Sequence, residues 1–458
     1  MNYKKIMAFC AVCTMVTLLA PNIPINKQNT ASAAETATVE TAKDTTDFVK
    51  SDGTHFILDG KPFYFEGTNN YYLPYAEDYM TKDVFDKAEL MGLTVMRTWG
   101  FNDGTEEDHC GISLQPTLGN YSEEGFKKFD YVIQQAKEHN IKLVIPFVNN
   151  WKEFGGTRQY AMWTGAAYDQ NHSDEFFTNE KCKEAYKNYI NYFLNRTNSL
   201  TGVKYKDDPT IMTWELANEP RCQSDTSCAT LTNWIKEMSE YIKSIDPDHL
   251  VAIGDEGFFN RQGESDFMYN GSQGLDWDKA VSLDSIDYGT YHLYPDGWGR
   301  TADWGTQWIK DHIAAAKAVN KPAVLEEYGI NSSVRESVYK TWGDTIIQEG
   351  GAGSMFWLLT GVTWGQQSQY PDYDGFNVNY ADDIAKVLTD YAGKMSALNV
   401  VTTGDINDDN TVDITDYTML RRYLNANKQG VKINVDKADI NGDGEVDFFD
   451  LVALKAMI

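Results

Sequence analysis

Two carboxylates stand where an apolar run gives way to polar and aromatic residues. Glu219 closes Trp214-Glu215-Leu216-Ala217-Asn218-Glu219, and Glu327 closes Val324-Leu325-Glu326-Glu327. Brought face to face, such a pair can divide labour. One group, held as an acid, protonates a departing oxygen; the other, ionised, attacks the carbon that oxygen leaves. Cleavage of a glycosidic bond with retention uses carboxyl groups about 5–5.5 Å apart. Other apolar runs end in Asn69 and Asn70, Arg97 and Trp99, Asn149, Asn150 and Trp151, His292 and Tyr294, and Trp357. An arginine beside a carboxylate favours its ionised form. A lone carboxylate ending a strand is ordinarily a cap or an ion pair, so the pairing carries the argument.

A second carboxylate chemistry lies near the C-terminus. Asp405 to Asp416 recurs as Asp439 to Asp450, a period of 34 residues. The copies place oxygen side chains at loop positions 1, 3, 5, 9 and 12, and position 7 adds a backbone carbonyl, as a calcium loop requires. The candidate ligands are Asp405, Asn407, Asp409, Thr411, Asp413 and Asp416, then Asp439, Asn441, Asp443, Glu445, Asp447 and Asp450. Position 6, which needs a turn with positive φ, is Gly444 in the second copy and Asn410 in the first. Helices are expected after each loop, over 417–424 and 451–458, and no entering helix is visible. The duplicated half-motif resembles the type I dockerin module, a small all-α calcium-binding domain. The resemblance implies two Ca2+ and a cohesin domain of a scaffoldin as partner. In dockerins positions 10 and 11 help choose that partner; here they are Ile414 and Thr415 in one copy, Phe448 and Phe449 in the other.

The whole composition agrees with a soluble chain acting on a neutral partner. Lys and Arg total 40 against 67 Asp and Glu, a formal net charge of −27. That excludes nucleic acid as main partner, because counterion release needs clustered cations, and it argues against anionic membrane surfaces. Twelve Trp, 27 Tyr and 21 Phe offer flat faces on which sugar rings stack. Lys4 and Lys5, the apolar run from Ile6 to Ala20 and Ala31-Ser32-Ala33 read as an export signal over 1–33. The run is about 15 residues, short of the roughly 20 that span a bilayer. Outside it remain Cys110, Cys182, Cys222 and Cys228. Cys222 with Cys228 and Cys110 with Cys182 is one arrangement of bridges; buried free thiols are the alternative.

The elements that must position these groups alternate in type. Strands are expected over 63–68, 94–99, 142–148, 211–216, 250–254, 287–291, 322–327 and 353–358. Helical periodicity intervenes, as over 83–91, 124–139, 232–245 and 302–319, with Phe126, Phe129, Ile133 and Ala136 on one face. Eight strand–helix units suggest a (β/α)8 TIM barrel, an α/β fold; an open doubly wound sheet competes, but no glycine-rich phosphate turn follows the first strand. Barrel chemistry occupies the C-terminal ends of the strands, and strands four and seven face each other across the mouth. The chain then divides into 1–33, a linker 34–44, a catalytic barrel 45–397, a linker 398–403 and a dockerin 404–458.

Trp214-Glu215-Leu216-Ala217-Asn218-Glu219-Pro220-Arg221-Cys222 resembles the fourth-strand signature of glycoside hydrolase family 5 in clan A, and Val324-Leu325-Glu326-Glu327-Tyr328-Gly329 its seventh-strand signature. Tyr291-His292-Leu293-Tyr294-Pro295 and Phe356-Trp357 match strands six and eight. Asn149-Asn150-Trp151 and Asn-Glu-Pro-Arg-Cys look most like the endo-β-1,4-mannanases of that family. The resemblance implies a secreted, cellulosome-associated retaining enzyme that cleaves β-1,4-mannosidic bonds in mannan, glucomannan or galactomannan, without a cofactor for catalysis. It makes Glu219 the acid/base and Glu327 the nucleophile, two residues before the glycine. Glu326 competes, but alternation along a strand lets only one of the two point into the mouth. Asn218 would bind the sugar 2-hydroxyl, Arg97 and Tyr294 would bind Glu327, and His292 would position Glu219 or the sugar. Trp357 would form the sugar floor. Trp99 and Asn149 join the substrate-binding set, and Arg221 reaches a leaving-group subsite or forms an ion pair. Trp151, Trp163, Trp298 and Trp364 are candidates for further subsites. Many relatives carry His at the end of strand three, where Asn149 and Asn150 stand here; mannanase-like members differ there too. A β-1,4-glucanase of the same fold and a non-catalytic carbohydrate-binding scaffold component are the alternatives.

Overall fold

Runs of β-branched and aromatic residues become eight parallel strands in a computed structural model that describes residues 47–104, 112–331, 333–365, 368–400, 402–407, 411–431 and 433–458. The export signal, the linker 34–44, Cys110 and Asp409 lie outside the described residues. The strands are β1 (Phe65–Asn69), β2 (Val95–Arg97), β3 (Lys142–Pro146), β4 (Ile211–Glu215), β5 (Leu250–Ala252), β6 (Gly289–Leu293), β7 (Ala323–Tyr328) and β8 (Gly353–Phe356). Each pairs with the next except β5 with β6, whose gap is bridged by other hydrogen bonds, and β8 pairs with β1, so the sheet curls into a barrel and the open-sheet alternative falls. Between β5 and β6 the join is made partly by side chains. Asp287 N donates to Val251 O at 2.8 Å, Val251 N to Asp287 Oδ2 at 2.6 Å, and Gly254 N to Thr290 Oγ1 at 3.1 Å.

Helices cover the outside: α1 (Asp78–Leu90), α2 (Glu123–Glu138), α3 (Gly156–Thr164), α4 (Glu180–Asn195), α5 (Ala229–Ile245), α6 (Trp277–Val281), α7 (Ala302–Ala318), α8 (Arg335–Glu349) and α9 (Asp383–Ala397). Helix α2 shows why they form. Ser122 caps it by accepting from Gly125 N, Glu123 and Glu124 favour the positive end of the dipole, and Phe126, Phe129, Ile133 and Ala136 form its fully buried face. Each such large apolar side chain contributes about 1.5–3 kcal/mol on burial, an upper figure.

Inside the barrel the side chains fall into two layers. The lower is apolar, with Phe65, Val95, Val144, Met212 and Met355 meeting Phe56, from an N-terminal antiparallel hairpin (Lys50–Asp52, His55–Leu58) that plugs the base, and Phe63, which lies between that hairpin and β1. The upper is charged: Arg97, Glu215 and Glu326 are all fully buried.

The C-terminal repeat forms α10 (Ile414–Asn425), the single turn α11 (Val435–Ala438) and α12 (Phe448–Met457) around Ile406, Leu420, Ala438, Val446, Leu451 and Leu454. The short α11 does precede the second loop, where no entering helix was expected; four residues are too few to show a period. Both long helices begin three residues earlier than expected. Asp413 and Asp447 are N-caps whose capping boxes, with Asp416 and Asp450, draw loop positions 10 to 12 into the first turn.

Candidate active site

Glu219 lies four residues beyond β4 with φ of 53°, a left-handed conformation that costs a non-glycine residue about 1–2 kcal/mol. Its N–H is anchored on Gly254 O at 2.8 Å. The approach requires a glycine: at φ +81°, a Cβ on Gly254 would sit 2.1 Å from Ala217 O. The strained turn aims the Glu219 carboxyl over the mouth, where Trp151 Nε1 donates to Oε2 at 2.7 Å and His292 Nδ1 lies 3.0 Å from Oε1.

Glu327 comes from β7. Arg97 Nη1 donates to its Oε1 at 2.5 Å, and the Tyr294 hydroxyl to Oε2 at 2.8 Å. A carboxyl oxygen of Glu219, one of Glu327 and a ring nitrogen of His292 all lie within 4.8 Å of one another. Arg97 organises the layer beneath: Nε donates to Glu215 Oε2 at 2.8 Å, and Nη2 to Asn218 Oδ1 at 2.9 Å. Asn218 in turn donates to Asn149 Oδ1 at 3.1 Å, whose own amide reaches Glu153 O. Trp99 lies under the Arg97 guanidinium at 5.0 Å and packs against Trp357 at 5.7 Å. Trp357, half-buried beside the mouth, donates from Nε1 to Asp374 Oδ2 at 2.8 Å and stacks on Tyr71.

The electrostatics separate the two carboxyls. Burial pushes both Glu219 and Glu327 above the ordinary carboxylate range. Arg97 and the Tyr294 hydroxyl pull Glu327 back, and the two carboxyls repel each other's charge. Two short donors on Glu327 favour leaving the proton of the pair on Glu219. Burial holds His292 below its usual value. The arrangement can therefore present a buried acid and a buried carboxylate to one opening.

Arg221 grips the buried Glu256 at both oxygens, each at 2.6 Å, and donates to Gln273 at 2.8 Å. Its guanidinium covers the Trp151 ring, and the ion pair expected of it is present, with a buried partner. The alternation expected at β7 does not hold. The register with both neighbouring strands shifts between Leu325 and Tyr328, and Glu326 is fully buried with Oε2 at 3.3 Å from His292 Nε2 and 3.6 Å from Arg97 Nε. Both glutamates therefore turn into the barrel, Glu327 at the mouth and Glu326 beneath it. Glu215, Glu256 and Asp374 were missed. Period-two parity from Glu215 inward was the available signal for the first; the other two sit in loops. Trp163 and Trp298 pack against the main core, and Trp364 is 52% exposed. Cys182, Cys222 and Cys228 are buried free thiols, so the Cys222–Cys228 bridge is not formed among the described residues, and Cys110 lies outside them.

The C-terminal loops suit a hard cation by the chemistry of their donors. In the second loop Asp439, Asn441 and Asp443 cluster at an exposed turn. Asp439 accepts from Gly442 N and Gly444 N at 2.8 Å, and the Asn441 amide reaches Asp443 Oδ2 at 2.9 Å. Asp416 and Asp450 are buried, each accepting three backbone N–H bonds. In the first loop Asp405 is paired with Lys437 at 2.9 Å.

Comparison with known proteins places these features. Residues 46–349 match the family described as GH family 5 beta-mannosidase-like, and residues 403–458 match the dockerin type I domain. Mannan endo-1,4-beta-mannosidase A of Aspergillus aculeatus is 38% identical over 372 residues, covering 77% of this chain and 92% of its own. The structure of a hyperthermostable endo-1,4-beta-D-mannanase from Thermotoga petrophila is 44% identical, with a TM-score of 0.69 over 72% of this chain and all of its own. An endo-1,4-beta-mannanase structure from Rhizomucor miehei is 43% identical, also at 0.69, covering 77% of this chain.

Proposed function

The chain belongs to the family 5 β-mannosidase-like glycoside hydrolases and carries a type I dockerin domain, and from that premise we propose that it is a secreted, retaining endo-β-1,4-mannanase. The observation that carries this reading is the pair Glu219 and Glu327, from opposite sides of the barrel mouth, with carboxyl oxygens within 4.8 Å. That spacing is nearer to a retaining pair, about 5–5.5 Å apart, than to an inverting pair, which holds a water between carboxyls about 6.5–9.5 Å apart.

In the proposed reaction Glu327, kept ionised by Arg97 and Tyr294, attacks the anomeric carbon. Glu219 gives its proton to the departing oxygen, and a covalent glycosyl-enzyme results. Glu219, now a carboxylate, takes a proton from water as that water displaces Glu327. Trp357 supplies the floor, and Asn218, held by Arg97 and Asn149, meets the 2-hydroxyl. The catalytic domain is 45–397, and 398–403 links it to the dockerin at 404–458. The dockerin tethers the enzyme to a cohesin of a scaffoldin, and residues 1–33 direct export. Two calcium ions, one per loop, would draw Asp439, Asn441, Asp443, Glu445, Asp447 and Asp450 together in the second loop and their counterparts in the first. When bound, calcium supplies the positive charge that lets these carboxylates crowd.

Reducing-sugar release from galactomannan, glucomannan and carboxymethylcellulose tests the substrate, and NMR of the first anomer released tests retention. Release from both mannans, with the β-anomer appearing first, is expected. Release from carboxymethylcellulose alone would move the chain to the β-1,4-glucanases; no release from any would return it to a binding role.

A further inference from the structure

We propose that Glu326 is a positioning residue that carries a proton in the working enzyme and, through His292, keeps Glu219 in its acid form. The geometry beneath the catalytic pair requires a proton that the pair itself does not account for. Three carboxyl groups, Glu215, Glu326 and Glu327, surround the one guanidinium of Arg97, and all four side chains are buried. Arg97 makes direct hydrogen bonds to Glu215 at 2.8 Å and to Glu327 at 2.5 Å, but lies 3.6 Å from Glu326. Oε1 of Glu215 and Oε1 of Glu326 meet no N–H or O–H donor, while the two carboxyl groups are in hydrogen-bonding contact. Two buried acceptors in contact are reconciled by a proton on one of them. Glu326, farther from the cation, is the one that holds it. Burial and the charge of Glu215 both push its carboxyl upward.

The rest of the chain of bonds follows from donor and acceptor capacity. With its proton donated to Glu215, Glu326 presents Oε2 as an acceptor, and His292 Nε2, 3.3 Å away, must donate to it. His292, kept neutral by burial, then has a lone pair at Nδ1. That lone pair faces Glu219 Oε1 at 3.0 Å and Glu327 Oε2 at 3.6 Å. A lone pair opposite a carboxyl oxygen is satisfied only when that oxygen carries hydrogen. Glu327 already has two donors, so the proton sits on Glu219. An ionised Glu326 would draw His292 to the imidazolium, whose Nδ1–H would stabilise ionised Glu219 and remove the acid. The groups facing Glu326 are Arg97 from β2, Glu215 from β4, Tyr288 just before β6, His292 on β6, and Glu327 beside it on β7. Asn69 from β1 holds its backbone carbonyl at 2.9 Å.

The catalytic consequence rests on the proposed roles of Glu219 and Glu327; the proton arrangement does not. Nitrogen-15 NMR of the full-length chain, with its seven histidines labelled and His292 assigned by substitution, reads the tautomer without any substrate. A neutral ring protonated at Nε2 across the active pH range is expected; an imidazolium, or a proton at Nδ1, overturns the proposal. The kinetic arm compares E326Q with E326L. Gln reproduces the neutral acid, offering N–H to Glu215 and a carbonyl to His292, so kcat within about threefold of the parent and unmoved pH limbs are expected. Leu offers neither, and kcat should fall more than about tenfold with KM little changed and the alkaline limb moved to lower pH. Equal losses in both variants, or a Leu variant with an unmoved pH profile, would also overturn it. Should the parent fail to cleave mannans, the function reading fails, while the tautomer still decides this one.

Discussion

The barrel mouth and the C-terminal loops both crowd carboxylates, and they settle the repulsion in opposite ways. In the mouth, Glu215, Glu326, Glu327 and Glu219 are buried; one fixed cation, a few N–H and O–H donors and retained protons hold them in place. In the second loop, Asn441 and Asp443 stand in solvent with Asp439 half-buried beside them, and all three accept N–H bonds from their own turn. The first arrangement is neutralised by the fold itself, because burying an unpaired charge is too costly. The second is oxygen-rich and open, as a site for an added cation must be. What separates the two is burial: where water is excluded the protein must supply protons and a guanidinium, and where water remains it can leave the charge for an ion.

That contrast is breakable at several points. The largest effect is expected in the mouth. Glu219→Gln and Glu327→Gln should each lower kcat on galactomannan by about 10²–10⁴ or more while the thermal midpoint changes little; a variant of either that retains most of its activity removes the pair from the chemistry. Next, Arg97→Met leaves buried carboxylates without their cation and should cost about 3–5 kcal/mol of barrel stability in denaturant titration. A loss under 1 kcal/mol would mean that retained protons alone neutralise the layer. Chelation separates the two regions directly. EDTA should abolish capture by a cohesin and reduce the helicity of residues 404–458, while hydrolysis of soluble mannan persists. Capture that survives EDTA would make the loops ordinary solvated turns.

The smallest effect expected is a shift in pH dependence. Activity requires Glu219 protonated and Glu327 ionised, so it falls below the pKa of Glu327 and above that of Glu219. Burial raises both, placing the window above the ordinary carboxylate range. Trp151 Nε1–H stabilises ionised Glu219. Trp151→Phe should therefore move the alkaline limb to higher pH and leave the acid limb in place; an unmoved alkaline limb would detach Trp151 from the acid.

Much of the barrel was legible because each strand is an apolar run bounded by polar residues. The expected strand 287–291 nevertheless begins at Gly289, since Asp287 bridges to Val251 rather than extending the ladder. Helix α6, five residues long, was missed because it is shorter than two turns and shows no period. Glu219 and Glu327 were legible from motif and position. Glu326 was misplaced because period-two alternation presumes a regular strand, and β7 shifts register at that residue.

By itself the sequence determined which functional groups exist and in which order: seven strand ends bearing polar or aromatic residues, two glutamates in matching motifs, and a duplicated loop of oxygen donors at a 34-residue period. These follow from local periodicity and side-chain chemistry. Only the tertiary structure decided how charge is shared. Arg97 meets Glu327 across 230 residues and Glu215 across 118, His292 lies between Glu219 and Glu326, and Arg221 turns to Glu256. A proton's position depends on burial and on neighbours a few ångströms away, and neither quantity is local in the chain.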